Sequence, residues 1–316
     1  MDSRFTRLWT ASTISNLGDG MVFAAFPLIV ASLTRDPIAV SVLAFSLRLP
    51  WLLFALPAGV IVDRRDRRRL MISADLVRAA ALGLLAIALA TGDPSLLALY
   101  LVGFLVGMAE TIFDSAAEAF LPSIVDASTL SKANGRLVGA RWVANSFIGP
   151  PLGALLFLGA VALPVAADAV TFLVAAGLVF TIGGSFTAEE APSTNTMRED
   201  ISEGVRWLWN HRVLRATALM AGGYNLVVSG MVAILVLFAQ DEVGLSDLGF
   251  GLVLAALGVG GLLGGLLAPR LEESLGTASA LITTVLLAAT AATTMGFTTS
   301  PFVMATAIFF FGIATT

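Results

Sequence analysis

Apolar runs about as long as a bilayer is thick recur from one end of this chain to the other, and they constrain its fold more than any other feature. A span needs about 20 mainly apolar residues, because the hydrocarbon core is about 30 Å thick and a helix rises about 1.5 Å per residue. The runs are continuous rather than alternating apolar and polar, so they predict helices and not barrel strands. Ten spans are expected, at 9–33, 38–62, 70–91, 96–120, 136–160, 163–186, 213–239, 246–269, 276–297 and 301–316. The first is not expected to be a cleaved signal peptide, since its apolar stretch is too long and carries Asp19. Composition agrees: 57% of residues are hydrophobic and 13% charged, whereas soluble domains are about half apolar and about a quarter charged.

Several function classes fall away at once. The chain has no cysteine, which removes disulfides, thiol catalysis and cysteine-bound metals. It has one histidine, His211, so a histidine metal cluster is impossible, and neither metal nor cofactor is expected. A net charge of −4 with a single lysine argues against nucleic acid. No phosphate-binding glycine loop occurs, so ATP is not an expected partner. An intramembrane aspartyl protease would want Gly-x-Gly-Asp, but the text reads Asn16-Leu17-Gly18-Asp19. A membrane serine protease would need a histidine within a span, and His211 lies in a polar loop. No enzyme is expected.

The arginines set an orientation. Fourteen of the 18 basic residues lie before span one or after spans two, four, six and eight. Only Arg35 lies in an opposite loop, and Arg48, Arg78 and Arg141 lie inside spans. The positive-inside rule then puts the N-terminus in the cytoplasm of a multi-pass cell-membrane protein. The opposite loops carry Asp36, Asp93, Asp241, Glu242 and Asp247.

The chain also divides in two. Residues 1–186 form a six-span bundle, 187–212 a cytoplasmic linker with Pro192 to Asn195 and a helix-like EDISEGVRWLWNHR, and 213–316 a four-span bundle. An offset of 206 lays Gly59, Asp63 and Arg64 on Gly265, Pro269 and Arg270, Asp19 on Asn225, and the turn Arg35–Asp36 on Asp241–Glu242. Parallel repeats of this kind mark secondary transporters. The last run, PFVMATAIFFFGIATT, ends without closing polar residues, and equal halves would need two more spans, so a truncated record is expected.

The segment GVIVDRRDRRR at 59–69 resembles the pattern G-x-x-x-D-R-x-G-R-R between spans two and three of the major facilitator superfamily. Gly59, Asp63, Arg64, Arg67 and Arg68 match, and Asp66 stands where the second glycine belongs. The resemblance implies an all-α, two-half transporter of twelve spans, about ten of them present, with this loop as a charge latch for the outward-open state. Gly59 is expected to permit close helix approach. NSFIGPPLGALL in span five resembles the family's antiporter motif: Gly149, Pro150 and Gly153 match, while Ala154 and Asn145 replace glycines. That motif goes with exporters. The stretch 119–140, with VAADAVTFLVAA and EDISEGVRWLW, resembles the macrolide-efflux and enterobactin-exporter branch. One departure is plain: Gly103 and Val106 stand where the family's fourth-span arginine and glutamine belong.

Charges inside spans cost roughly 2.5–3.5 kcal/mol each near the bilayer centre, so each needs a partner, a wet cavity or a neutral form. Asp19, Arg48, Glu110, Asp114 and Arg141, with Asn225 by the repeat, are the candidate proton-coupling or substrate-binding residues. Glu110, Asp114 and Glu118 share one helix face, and Arg141 is expected near the depth of Asp114. Glu110 and Asp114 would repel in a cavity of low dielectric, which suits a proton exchanged as access alternates; binding of a cationic substrate is the alternative. Asp75 and Arg78 read as a structural pair one turn apart, Asp168 as an anchor of its span's outer end, and Glu118 as solvated. Trp51, Trp142, Trp207 and Trp209 read as core or interface anchors. The expectation is proton-coupled efflux of small amphipathic molecules by a monomer in the lipid bilayer, with an uptake permease of the same superfamily as the alternative.

Overall fold

The computed structural model describes residues 3–92, 94–184, 186 and 197–315. Asp93 and the linker residues Pro192 to Asn195 lie outside the described residues. Those described contain helices and no strand. The helices are α1 (Ser3–Leu33), α2 (Pro37–Arg64), α3 (Arg67–Ala90), α4 (Leu96–Phe120), α5 (Leu130–Arg141), α6 (Gly149–Gly159), α7 (Leu163–Phe180), α8 (Met197–Asn210), α9 (Arg212–Leu237), α10 (Asp247–Leu275), α11 (Thr277–Phe297) and α12 (Pro301–Ala314). Among the described residues, nine spans are long and apolar enough to cross a membrane; α12, with 14 residues, is shorter than the tenth span expected for 301–316. The helix-like linker stretch is α8.

Helix starts follow their caps. Asp36 accepts a hydrogen bond from the Ile38 amide at 2.9 Å, with Pro37 in the first turn of α2. Asp66 does the same for the Arg69 amide at α3. The fifth span is not one α-helix: α5 passes into a π-helical segment, Trp142–Ile148, before α6. Pro150 and Pro151 have no amide hydrogen to give to the preceding turn, so its ladder slips by one register.

We call the two ends of the bundle the basic end and the acidic end, after their loops. α1, α3, α4 and α7 pack together, with α2 on α4; α10, α11 and α12 form a second group. The fifth span joins them, since α6 and its π segment touch both α1 and α10. The apolar core that crosses between the groups lies toward the acidic end and runs from Phe26 and Phe172 to Phe250 and Phe311. A second core at the basic end, including Leu8, Met71, Phe120 and Val179, contains nothing from α9 to α12. The groups therefore meet at the acidic end and part at the basic end.

One polar bridge crosses at the closed end. Arg35 lies 3.2 Å from Asp241 and donates to Gln240 at 2.8 Å, and Gln240 donates to Asp247 at 2.8 Å. The turns overlaid by the 206-residue repeat thus face each other. An exposed pair contributes about 0–1 kcal/mol, so the apolar core holds this closure and the bridge marks it. The chain has no cysteine of its own. Arg35→Cys with Asp241→Cys is therefore expected to cross-link within one chain through a short cleavable bis-thiol reagent. Transport should stop on cross-linking and return on cleavage; transport undiminished by complete cross-linking would show that this end need not open.

Candidate functional site

Four glycine contacts create the site. A Cβ on Gly18 would overlap the Asp168 carboxylate of α7, and one on Gly20 would lie 2.8 Å from the Asn145 Cα of the π segment. A Cβ on Gly149 would lie 2.6 Å from the Gly20 Cα, and one on Gly153 2.7 Å from the Met21 Cα. The antiporter-type residues Gly149, Pro150 and Gly153 are all buried, and the two glycines bring the fifth span against α1 at Asp19. Backbones can approach this closely only where side chains are absent. Asp19 is thereby held where α1, α7 and the fifth span meet.

Around that point the structure gathers charges. Arg78 of α3 is 1% exposed and donates to Asp75, itself 0% exposed, at 2.6 Å. Its other terminal nitrogen lies 3.8 Å from Asp19. The rings of Phe172 and Phe113 lie 4.1 Å and 4.7 Å from its guanidinium carbon. Asp168, 1% exposed, accepts from the Thr171 hydroxyl at 2.9 Å. Arg141 reaches Asp114 at 3.8 Å, with both side chains partly exposed. Glu110 is half-buried one turn from Asp114, within electrostatic reach of Arg78, Arg48 and Arg141.

Of the residues singled out in the sequence, Asp19, Glu110, Asp114 and Arg141 come together. Arg48 is exposed on α2 and joins them only through its field on Glu110. Asn225 does not join: it is exposed and donates to the Ala221 carbonyl of its own helix at 2.9 Å, because the Asn225 stretch of α9 stands clear of α1. One further reading is extended and another corrected. Asp75 and Arg78 do pair, but the pair is fully enclosed and extends to Asp19, since α1, α4 and α7 close over it. Asp168 is no surface anchor, because Gly18 lets α1 cover it. Arg78, Asp75 and Asp168 were signalled by their charge within a span, and Phe113 and Phe172 by nothing in the sequence.

The basic loop is tied within the first group of helices. Arg68 donates to the carbonyls of Val179, at 3.2 Å, and Phe180, and stacks on the Phe180 ring. Arg7 donates to the Thr181 carbonyl at 2.5 Å. These cations satisfy the free carbonyls at the end of α7 and complement its dipole. Arg67 donates to Ser123 at 3.3 Å. Asp66, which replaces the motif's glycine, caps α3 and accepts from the Phe186 amide at 3.0 Å. Asp63 and Arg64 are exposed. Gly59 does not serve a close approach here: among the described residues nothing lies within 4 Å of a Cβ built on it. The tight contact of α2 is with α4, where Gly107 meets the Leu47 backbone.

A family profile described as "Transmembrane secretion effector" matches residues 1–315. The chain belongs to that family, a branch of the major facilitator superfamily. This family member is 28% identical over 300 residues to the multidrug efflux pump Tap of Mycolicibacterium fortuitum, covering 91% of the chain and 72% of that protein. It is 24% identical over 270 residues to macrolide efflux protein A of Streptococcus pyogenes, covering 84% of the chain and 65% of that protein. Its fold matches a bacterial homologue of the lysosomal transporter Spinster in an inward-facing, occupied conformation, with a TM-score of 0.74 at 14% identity over 98% of this chain and 71% of that one. It also matches the nucleoside transporter NupG, with a TM-score of 0.78 at 12% identity over 99% and 80%.

Proposed function

We propose that this family member exports small amphipathic molecules by alternating access, coupled to protons and without ATP, as a monomer in the cell membrane with its N-terminus and basic end in the cytoplasm. The observation that carries the reading is the cluster of Asp19, Glu110, Asp114 and Arg141. It lies within the first helix group and the fifth span, partly exposed, just on the basic side of the contact between Ser146 and Gly258 where the two helix groups part. Carboxylates there can take a proton from one side and release it on the other as the opening alternates. Export is supported by the names of the two relatives and by the span-five motif. We read the loop holding Gly59, Asp63, Arg64, Arg67 and Arg68 as the latch of the opposite state; the exposure of Asp63 and Arg64 in a molecule open at the basic end supports that reading.

The test is a susceptibility panel in drug-hypersensitive cells expressing the gene, with and without a protonophore. Raised tolerance to several amphipathic drugs, lost when the gradient collapses, is the expected result. Unchanged tolerance together with growth on one otherwise limiting nutrient would overturn export in favour of uptake.

A further inference from the structure

Arg78 is enclosed but not saturated. One terminal nitrogen is hydrogen-bonded to Asp75, whereas the other is 3.8 Å from Asp19, too far for a hydrogen bond. Its Nε and the second oxygen of Asp75 are buried without a hydrogen-bond partner among the described residues. Buried polar atoms are rarely left so, and each is costly. The two acceptors also differ in access: the Asp75 side chain is 0% exposed and that of Asp19 19%. Arg78 therefore has one tight acceptor sealed from outside and one loose acceptor that can be reached.

We infer that Arg78 is a counter-ion shared between Asp75 and Asp19, displaced from Asp19 when a single positive charge, a proton or an organic monocation, arrives there. Asp75 and the two phenylalanine rings keep the guanidinium in place meanwhile, so the exchange needs no movement of a free buried charge. The charge count points the same way. Asp19, Asp75, Glu110, Asp114 and Asp168 are five carboxylates facing this region from α1, α3, α4 and α7, against the three arginines Arg48, Arg78 and Arg141. Were all five ionised the region would be short of positive charge, and Asp19 is its reachable point beside the resident cation. The inference rests on the export reading only in taking Asp19 as the docking carboxylate.

The charge-conserving variant Arg78→Lys isolates the effect. A lysine ammonium is a compact point charge without the wide planar fork that reaches toward two separated acids and stacks flat between rings, so it would stay on Asp75 and leave Asp19 free. Binding of tetraphenylphosphonium to the purified chain in nanodiscs is expected to tighten about tenfold in Arg78→Lys and to change less than about twofold when the same substitution is made on Asp19→Asn. Asp75→Asn should weaken binding by a similar factor, because the guanidinium then has only Asp19, and Asp75→Glu should restore it. A proton released on binding identifies a proton as the charge exchanged at Asp19; no release identifies the monocation itself. Unchanged affinity in Arg78→Lys, or equal effects with and without Asp19, overturns the shared counter-ion while leaving export untouched. A wild-type chain that binds no tetraphenylphosphonium and exchanges no proton overturns both.

Discussion

Asp114→Asn is expected to abolish proton-driven transport of neutral and cationic substrates alike, with a loss of more than about tenfold in rate, or about 1.4 kcal/mol in barrier. Asp114 stands one turn from Glu110 on α4 and 3.8 Å from Arg141 of α5. Two unit charges about 4 Å apart interact by about 4 kcal/mol at an effective dielectric constant of ~20. The exposure of both partners makes that an upper bound for the Arg141 pair. Removing the charge of Asp114 relieves Glu110 of its repulsion and releases Arg141, so the proton has no second carboxylate to move against. Glu110→Gln should act the same way. Both variants should insert normally, because the arginines of the basic loops are untouched. Counterflow assays in proteoliposomes, with a neutral and a cationic substrate compared, provide the check. Loss confined to the cation would make the carboxylate a recognition group and refute coupling.

Gly20→Ala should be among the most damaging single-methyl changes in the protein. The added carbon would lie 2.8 Å from the Asn145 Cα and closer still to that residue's carbonyl. Both obstructions are backbone, which cannot rotate away as a side chain can. Overpacking of a tight site costs about 1–3 kcal/mol, and here it also prises α1 from the fifth span at the level of Asp19. A lower melting midpoint in detergent and loss of transport are expected together. Gly59→Ala is the control, because open space surrounds that position, and alanine favours a helix interior by about 1 kcal/mol over glycine. Its melting midpoint should hold or rise. A Gly20→Ala chain as stable as the parent would show that α1 and the fifth span do not meet as described.

The two families of glycine illustrate what a sequence can convey. Gly59 and Gly20 look alike in the text, each a small residue near a conspicuous acid, and a motif gave Gly59 the greater weight. Whether a glycine is crowded depends on which helix crosses it, and that is settled by the rotation and tilt of both partners. Gly20 is crossed by the π segment and Gly59 by nothing within 4 Å.

The spans, the segregation of arginine from acid at the two ends, and the candidate charges are all legible in the amino-acid order. Each follows from the transfer of a local stretch between water and lipid, which depends on that stretch alone. Legible too is the meeting of Asp75 with Arg78, because residues three apart share a helix face. That Arg78 reaches Asp19, is covered by Phe113 and Phe172, and shares its surroundings with Asp168 follows from helix packing alone. Those residues come from four helices, and a change of one residue in the register of any of them turns its side chain by about 100°. The same sensitivity separates Asp19 from Asn225, which the repeat aligns: one is clasped between backbones through glycine contacts, while the other's stretch of helix has no such neighbour and leaves it exposed.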